Sequence, residues 1–223
     1  MSKPCRYRRV RVSLMITAGL CAVGGLTVIS DVAPVGAQVG PAITKVEESW
    51  ELEVASANPT SGGPQINTVM SAYPHVDSYY GLFTVNYRDL PNFVGGGLQG
   101  QLWKDYTNLG QIASKTALLN TANETITWKQ ILMLVNGELQ FHVHDGQSTT
   151  WGPFGGNMSL CPRYAAPDLP NLNGYTPSIS VEYTRRWGLE RDRITSLKIT
   201  RIKKWAETVL VSDDPAVIKV LPQ

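Results

Sequence analysis

His142-Val143-His144-Asp145 is the stretch with the most chemical potential in this chain. Residues two apart on a strand share a face, so both imidazoles point the same way, a geometry that transition-metal sites use. Glu138 and Gln140 fall on that face too, while Leu139, Phe141 and Val143 fill the other. The sequence offers no third and fourth ligand: His75 is the only other histidine, and no glutamate follows at a completing distance. Two histidines on a polar sheet face are therefore the preferred reading, and no bound metal is expected. Cys161, beside Pro162, would need a base to act as a nucleophile, and no His or Asn pattern accompanies it in the sequence. A passive, partly buried thiol is expected instead.

Aromatic rings among amides are the second candidate. Flat Trp and Tyr rings can stack on sugar rings while Gln, Asn and charged groups bond the hydroxyls. In Gly97 to Trp103, Leu98 and Leu102 share one face and Gln99, Gln101 and Trp103 the other. With the leucines in a core, Trp103 stands among amides outside it. Gln99, Gln101 and Trp103 combine with Gln140, His142 and His144 into a candidate ligand surface, provided their strands are neighbours. Trp50, Trp128 and Trp151 are expected to fill the core.

Known catalytic arrangements do not match. The acid and base of a glycosidase must flank one sugar bond, and the sandwich glucanases place Glu-x-Asp-x-x-Glu on one strand. The nearest stretch, Glu48-Ser49-Trp50-Glu51-Leu52-Glu53, lacks the central Asp and puts Glu48 on the face opposite Glu51. Sandwich lyases want Gln-Ile-His, whereas Asn67 follows Gln65-Ile66. Gly95-Gly96-Gly97 lacks the Lys-Ser/Thr and helix of a phosphate loop. No catalytic residues are assigned, and a hydrolase or lyase with an unfamiliar carboxylate pair is the remaining enzymatic alternative.

Short alternating runs between Gly, Pro and Asn clusters position these residues, with no helix-length stretch of 3.6-residue periodicity. In Val46 to Val54, Val46, Trp50, Leu52 and Val54 face one way and Glu47, Ser49, Glu51 and Glu53 the other. Further strands are expected at Gln65–Ala72, Tyr80–Tyr87, Gly97–Trp103, Glu124–Val135, Glu138–His144, Ser178–Trp187 and Arg193–Ile202. Asn136-Gly137 supplies the two positive φ angles of a tight hairpin, so Glu124–Val135 and Glu138–His144 should pair. Asn108 to Asn123 holds one more strand or an irregular excursion, and Trp151 to Gly156 reads as a rigid aromatic turn closing one end. The whole reads as all-β, a two-sheet antiparallel sandwich or jelly roll of concanavalin A-like form. Residues 207–223 are an edge strand or a loose tail.

The first 37 residues carry an address. Lys3, Arg6, Arg8, Arg9 and Arg11 precede an uncharged run from Val12 to Ser30, and Val35-Gly36-Ala37 offers a cleavage site. Residues 1–37 read as a secretory signal ahead of a single domain at 38–223, with an uncleaved N-terminal anchor as the alternative. The chain has 20 basic and 18 acidic residues. Losing the signal removes five basic residues and Asp31, which leaves 15 against 17, a net charge of −2. The basic character belongs to the signal, and no basic stripe for nucleic acid remains. Cys5 and Cys21 leave as well, so the exported domain would have no internal disulfide and must hold together by packing.

One resemblance spans nearly all of the exported part. It runs through Trp50-Glu51-Leu52, Pro64-Gln65-Ile66, Gly96-Gly97-Leu98-Gln99, Leu102-Trp103 and Thr127-Trp128. It continues through Gly146 to Gly155, Asn171 to Tyr175, Arg193-Ile194 and Ser196-Leu197. In these the chain resembles a group of small exported proteins from planctomycete-type bacteria. The resemblance implies a single extracellular domain, brings no catalytic residues and does not call for histidine at 142 or 144. A weaker likeness, carried by Trp128, Asn136-Gly137 and Asp145-Gly146, is to concanavalin A-like and laminin G-like sandwiches, which often bind sugars and calcium. Asp77, Asp89, Asp105 and Asp145 form no dense acidic loop, so calcium rests on that likeness alone. The expectation is an exported, non-catalytic module for polysaccharide or envelope components, or an adhesive envelope protein working through its sheet edges.

Overall fold

The alternation of Val46 to Val54 becomes β1 (Lys45–Val54), whose even-numbered residues are buried from Val46 to Val54. The computed structural model describes residues 40–54, 66–73, 78–87, 97–114, 123–149, 152–177, 194–216 and 218–220. The expected signal, His75, Trp151 and the strand expected at Ser178–Trp187 lie outside the described residues.

β1 runs antiparallel between β6 (Glu124–Val135) and β10 (Ile194–Ala206). β6 turns through Asn136 and Gly137, at φ 51° and 75°, into β7 (Glu138–Ser148), as the Asn-Gly pair predicts. β8 (Gly152–Phe154) and β9 (Arg163–Ala165) both pair with the far edge of β7. β11 (Val209–Asp214) and β12 (Ile218–Val220) pair with the outer edge of β10. The second sheet is a meander of β2 (Ile66–Ser71), β3 (Tyr79–Tyr87), β4 (Gly97–Lys104) and β5 (Thr107–Ser114). The described part is therefore all-β, with an eight-stranded and a four-stranded antiparallel sheet sharing one core.

Two open readings resolve, and one expectation is corrected. The stretch after Asn108 contributes to β5, and the chain after Glu207 supplies paired edge strands rather than a loose tail. Gly152–Phe154 is not the closing turn expected there. It is strand β8, and Phe154 lies 6.3 Å from Phe83 in the core. Local turn chemistry pointed to a loop, but hydrogen bonding to Gly146–Ser148 recruits the segment into the sheet.

The core is aromatic at its centre. Trp50 and Trp128 are cross-strand partners with parallel rings 5.8 Å apart, and Phe83 from the facing sheet tilts 58° against Trp128. Each such ring removes on the order of 200 Å² from water, roughly 5 kcal/mol of apolar transfer. β7 carries a bulge, because Asp145 and Gly146 together oppose Trp128 of β6. Asp145 sits at φ 50°. The extra residue shifts the alternation, so Leu139, Phe141 and Val143 face the core before it and Gly146 and Ser148 after it. His142, His144 and Asp145 are all left on the outer side.

Candidate functional site

The six residues expected to form one surface divide into two. On β4, Leu98 and Leu102 are fully buried against the larger sheet, so Gln99, Gln101 and Trp103 turn to the outer face of the smaller one. On β7, Leu139, Phe141 and Val143 fill the core, so Gln140, His142 and His144 turn to the outer face of the larger sheet. These faces lie on opposite sides of the sandwich. The single concave surface is thus corrected: each triplet was read properly within its strand, but the strands belong to different sheets.

The first triplet forms a ladder. The Trp103 indole N–H donates to Gln101 Oε1 at 2.8 Å, and the Gln101 amide donates to Gln99 Oε1 at 2.7 Å. Gln99 and Gln101 are only 2% and 5% exposed, so they orient Trp103 instead of offering amides to a ligand. Trp103 is half-buried and lies parallel to Tyr80, its cross-strand partner on β3, at 6.2 Å and 4°. On β5, Asn108 opposite Trp103 and Gln111 opposite Gln101 are exposed, and they bond each other at 3.3 Å. Tyr106, in the β4–β5 turn, is 80% exposed. Tyr80 escaped the sequence reading because only the β3–β4 register puts it beside Trp103.

The second triplet forms a ladder too. Gln140 donates to Glu138 Oε1 at 2.7 Å, and His142 Nε2 lies 3.0 Å from Gln140 Oε1. The same imidazole nitrogen is 3.2 Å from Cys161 Sγ. Cys161 arrives here because residues 160–162 continue along β7, where Phe141 N–H and Val143 N–H donate to the carbonyls of Pro162 and Leu160. Gly155, at φ 75°, makes the approach possible: a Cβ there would sit 2.5 Å from Val143 O. Together Ile131, His142, His144, Asp145, Met158 and Cys161 line an open cavity of about 350 Å³.

No family model matches this chain, and no curated protein matches it.

The electrostatics of the Cys161–His142 pair oppose nucleophilic use. Burial pushes the His142 pKa down to about 4, helped by the nearby Arg163 and by the neighbouring His144 and Lys45. Burial also pushes the Cys161 thiol up, with the Arg163 contact working the other way. Both groups are neutral at pH 7, and the imidazole proton that would suit Gln140 Oε1 sits on the nitrogen facing the sulfur. A thiolate–imidazolium pair is therefore not preformed. Asp145 is engaged by Lys129 at 2.8 Å and by His144 Nδ1 at 3.1 Å, which holds its carboxyl below the usual range. That leaves it a poor calcium donor.

Glu48 is the other perturbed carboxyl, and it faces inward. It accepts from Tyr175 Oη at 2.5 Å and from Trp50 Nε1 at 2.9 Å, and burial raises its pKa to about 7. Its position opposite Glu51 was legible in the alternation of β1. Among the described residues it has the core around it, with no opening to a polymer.

Proposed function

We propose that this chain is an exported, non-catalytic sandwich module of jelly-roll or concanavalin A-like form that binds carbohydrate on the outer face of its smaller sheet. The parallel Tyr80–Trp103 pair carries the reading. Two parallel, partly exposed rings give this face an aromatic surface on which a sugar ring can pack, and Asn108 and Gln111 beside them supply exposed amides for its hydroxyls. The ladder through Gln101 and Gln99 fixes the indole before a ligand arrives, which lowers the entropic cost of binding.

The test is binding of the purified protein to a panel of soluble and insoluble polysaccharides, with and without calcium. Trp103→Ala should weaken any binding by at least about tenfold while lowering stability by about 1–2 kcal/mol, since the ring is only partly buried and the loss includes its bond to Gln101. Thr127→Ala, on the opposite outer face, should leave binding unchanged. A folded protein that binds nothing on the panel would remove the carbohydrate reading, as would a Trp103→Ala variant that binds normally.

A second reading has its own observation. On β11, Val209, Leu210 and Val211 are 65%, 47% and 43% exposed at the sheet edge. Asp213 is already neutralised by a two-pronged bond from Arg201 at 2.6 and 2.7 Å. A second copy laid antiparallel about Leu210 would cover these side chains and satisfy the edge backbone. Light scattering on the eluting protein would then show a dimer that Leu210→Lys dissociates. A monomer at every concentration rules this assembly out.

A further inference from the structure

The outer face of the larger sheet brings together four side chains that the sequence scatters over twenty residues: His142 and His144 from β7, and Met158 and Cys161 from the segment that follows β8. All four line one cavity. His142 Nε2 and Cys161 Sγ already stand 3.2 Å apart. Two ligands of one ion, at about 2.0 Å for nitrogen and 2.3 Å for sulfur with a tetrahedral angle between them, are about 3.5 Å apart. The pair needs only a slight opening to admit a metal. His144 Nε2 is buried without a hydrogen-bond partner, an uncompensated polar atom beside the same space.

Met158 supports the same conclusion from the backbone. It follows Asn157, and the two sit at φ 60° and 51°. Asn followed by Gly is comfortable in such a turn, whereas a long side chain rarely adopts it. A methionine is nevertheless held there, its side chain about half exposed at the cavity. Among the described residues no three His, Cys, Asp or Glu side chains converge by themselves, so a third donor has to come from the Met158 thioether, which lines the same cavity. Asp145, the one carboxylate among the described residues that line the cavity, is occupied by Lys129. Two sulfurs and imidazole, without a free carboxylate, select a soft ion over a hard one.

We propose that this cavity binds a soft monovalent metal ion of the Cu(I) class through Cys161 Sγ, His142 Nε2 and Met158 Sδ, with His144 beside it. Binding releases the thiol proton to solvent and leaves His142 as the Nδ1–H tautomer, freeing Nε2 from its bond to Gln140. No redox change is involved, because the ion enters as Cu(I). The site is on the opposite outer face from the Tyr80–Trp103 platform and stands independently of it.

The experiment uses the full chain with Cys5→Ser and Cys21→Ser, so that Cys161 is its only thiol. Under anaerobic conditions Cu(I) is titrated in against a chromophoric chelator. The protein is expected to withdraw one ion per chain, with a new ultraviolet thiolate-to-copper absorption. Cys161→Ser should abolish that absorption and weaken binding by about a hundredfold, and Met158→Leu by about tenfold. Met158 is at the surface, so its variant should keep the parent's unfolding curve. Failure to withdraw Cu(I), undiminished affinity in either variant, or binding of Zn(II) in preference to Cu(I) would overturn the proposal.

Discussion

In urea titrations across a pH series, a Glu48→Gln variant gains on the native protein as pH rises from 4.5 to 8, by about 3 kcal/mol in total. Glu48 is 1% exposed, and burial raises its pKa to about 7, against the lowering pull of the donors Tyr175 and Trp50. The sign follows from that direction. Below the unfolded value near 4.5 the carboxyl is neutral in both states, and its contribution to stability is fully present. As pH rises, the unfolded chain releases the proton first, and the folded state holds it until about 7. Over that window the contribution is lost, because an ionised carboxylate is disfavoured inside the core. An amide does not titrate, so the variant's curve lacks this slope. Altered hydrogen bonds to Tyr175 and Trp50 shift the variant's curve by a constant and leave the divergence intact. Parallel curves would show that Glu48 is not held protonated.

The second large effect is steric. A methyl group at Gly81 would lie 2.1 Å from Phe141 Cδ2 and 2.3 Å from its Cγ, inside a ring that is fully buried between the sheets. Gly81 and Phe141 face each other across the sandwich, one from each sheet, so neither backbone yields without separating the layers. Gly81→Ala should therefore destabilise by about 2–3 kcal/mol, even though alanine suits a strand interior better than glycine by about 0.5–1 kcal/mol. Phe141→Leu alone opens a void and should also destabilise. Combined with Gly81→Ala it should cost less than the sum, with a coupling of about 1 kcal/mol or more in a double-mutant cycle. Strict additivity, or a neutral Gly81→Ala, would show that the sheets are not in contact through this pair.

How far the sequence reached depended on the range of the interaction being read. β1 was legible because a half-buried strand repeats every two residues, and Val46, Trp50, Leu52 and Val54 keep that period. The β6–β7 hairpin was legible because Asn136 and Gly137 accept positive φ within two residues of chain. The bulge at Asp145–Gly146 lay beyond that reading, since it exists only against Trp128 of the neighbouring strand. β8 and β9 were missed for the same reason: three-residue strands carry no period of their own and are defined by pairing with β7.

The two sites show the division most clearly. Alternation alone placed Trp103 with Gln99 and Gln101, and His142 with Gln140 and His144, since faces within one strand follow from backbone geometry. Whether those faces look the same way depends on which sheet each strand joins, and strand order is a matter of long-range pairing that local residues do not encode. The 3.2 Å meeting of His142 with Cys161, and the 6.2 Å stacking of Tyr80 on Trp103, likewise exist only through register between separate strands. Residue type and spacing thus determined the all-β class, the strand faces and the Asn136-Gly137 hairpin, because those depend on the chain's own dihedral preferences. Only the tertiary structure decided which side chains meet, because contact between distant segments depends on how the whole core packs.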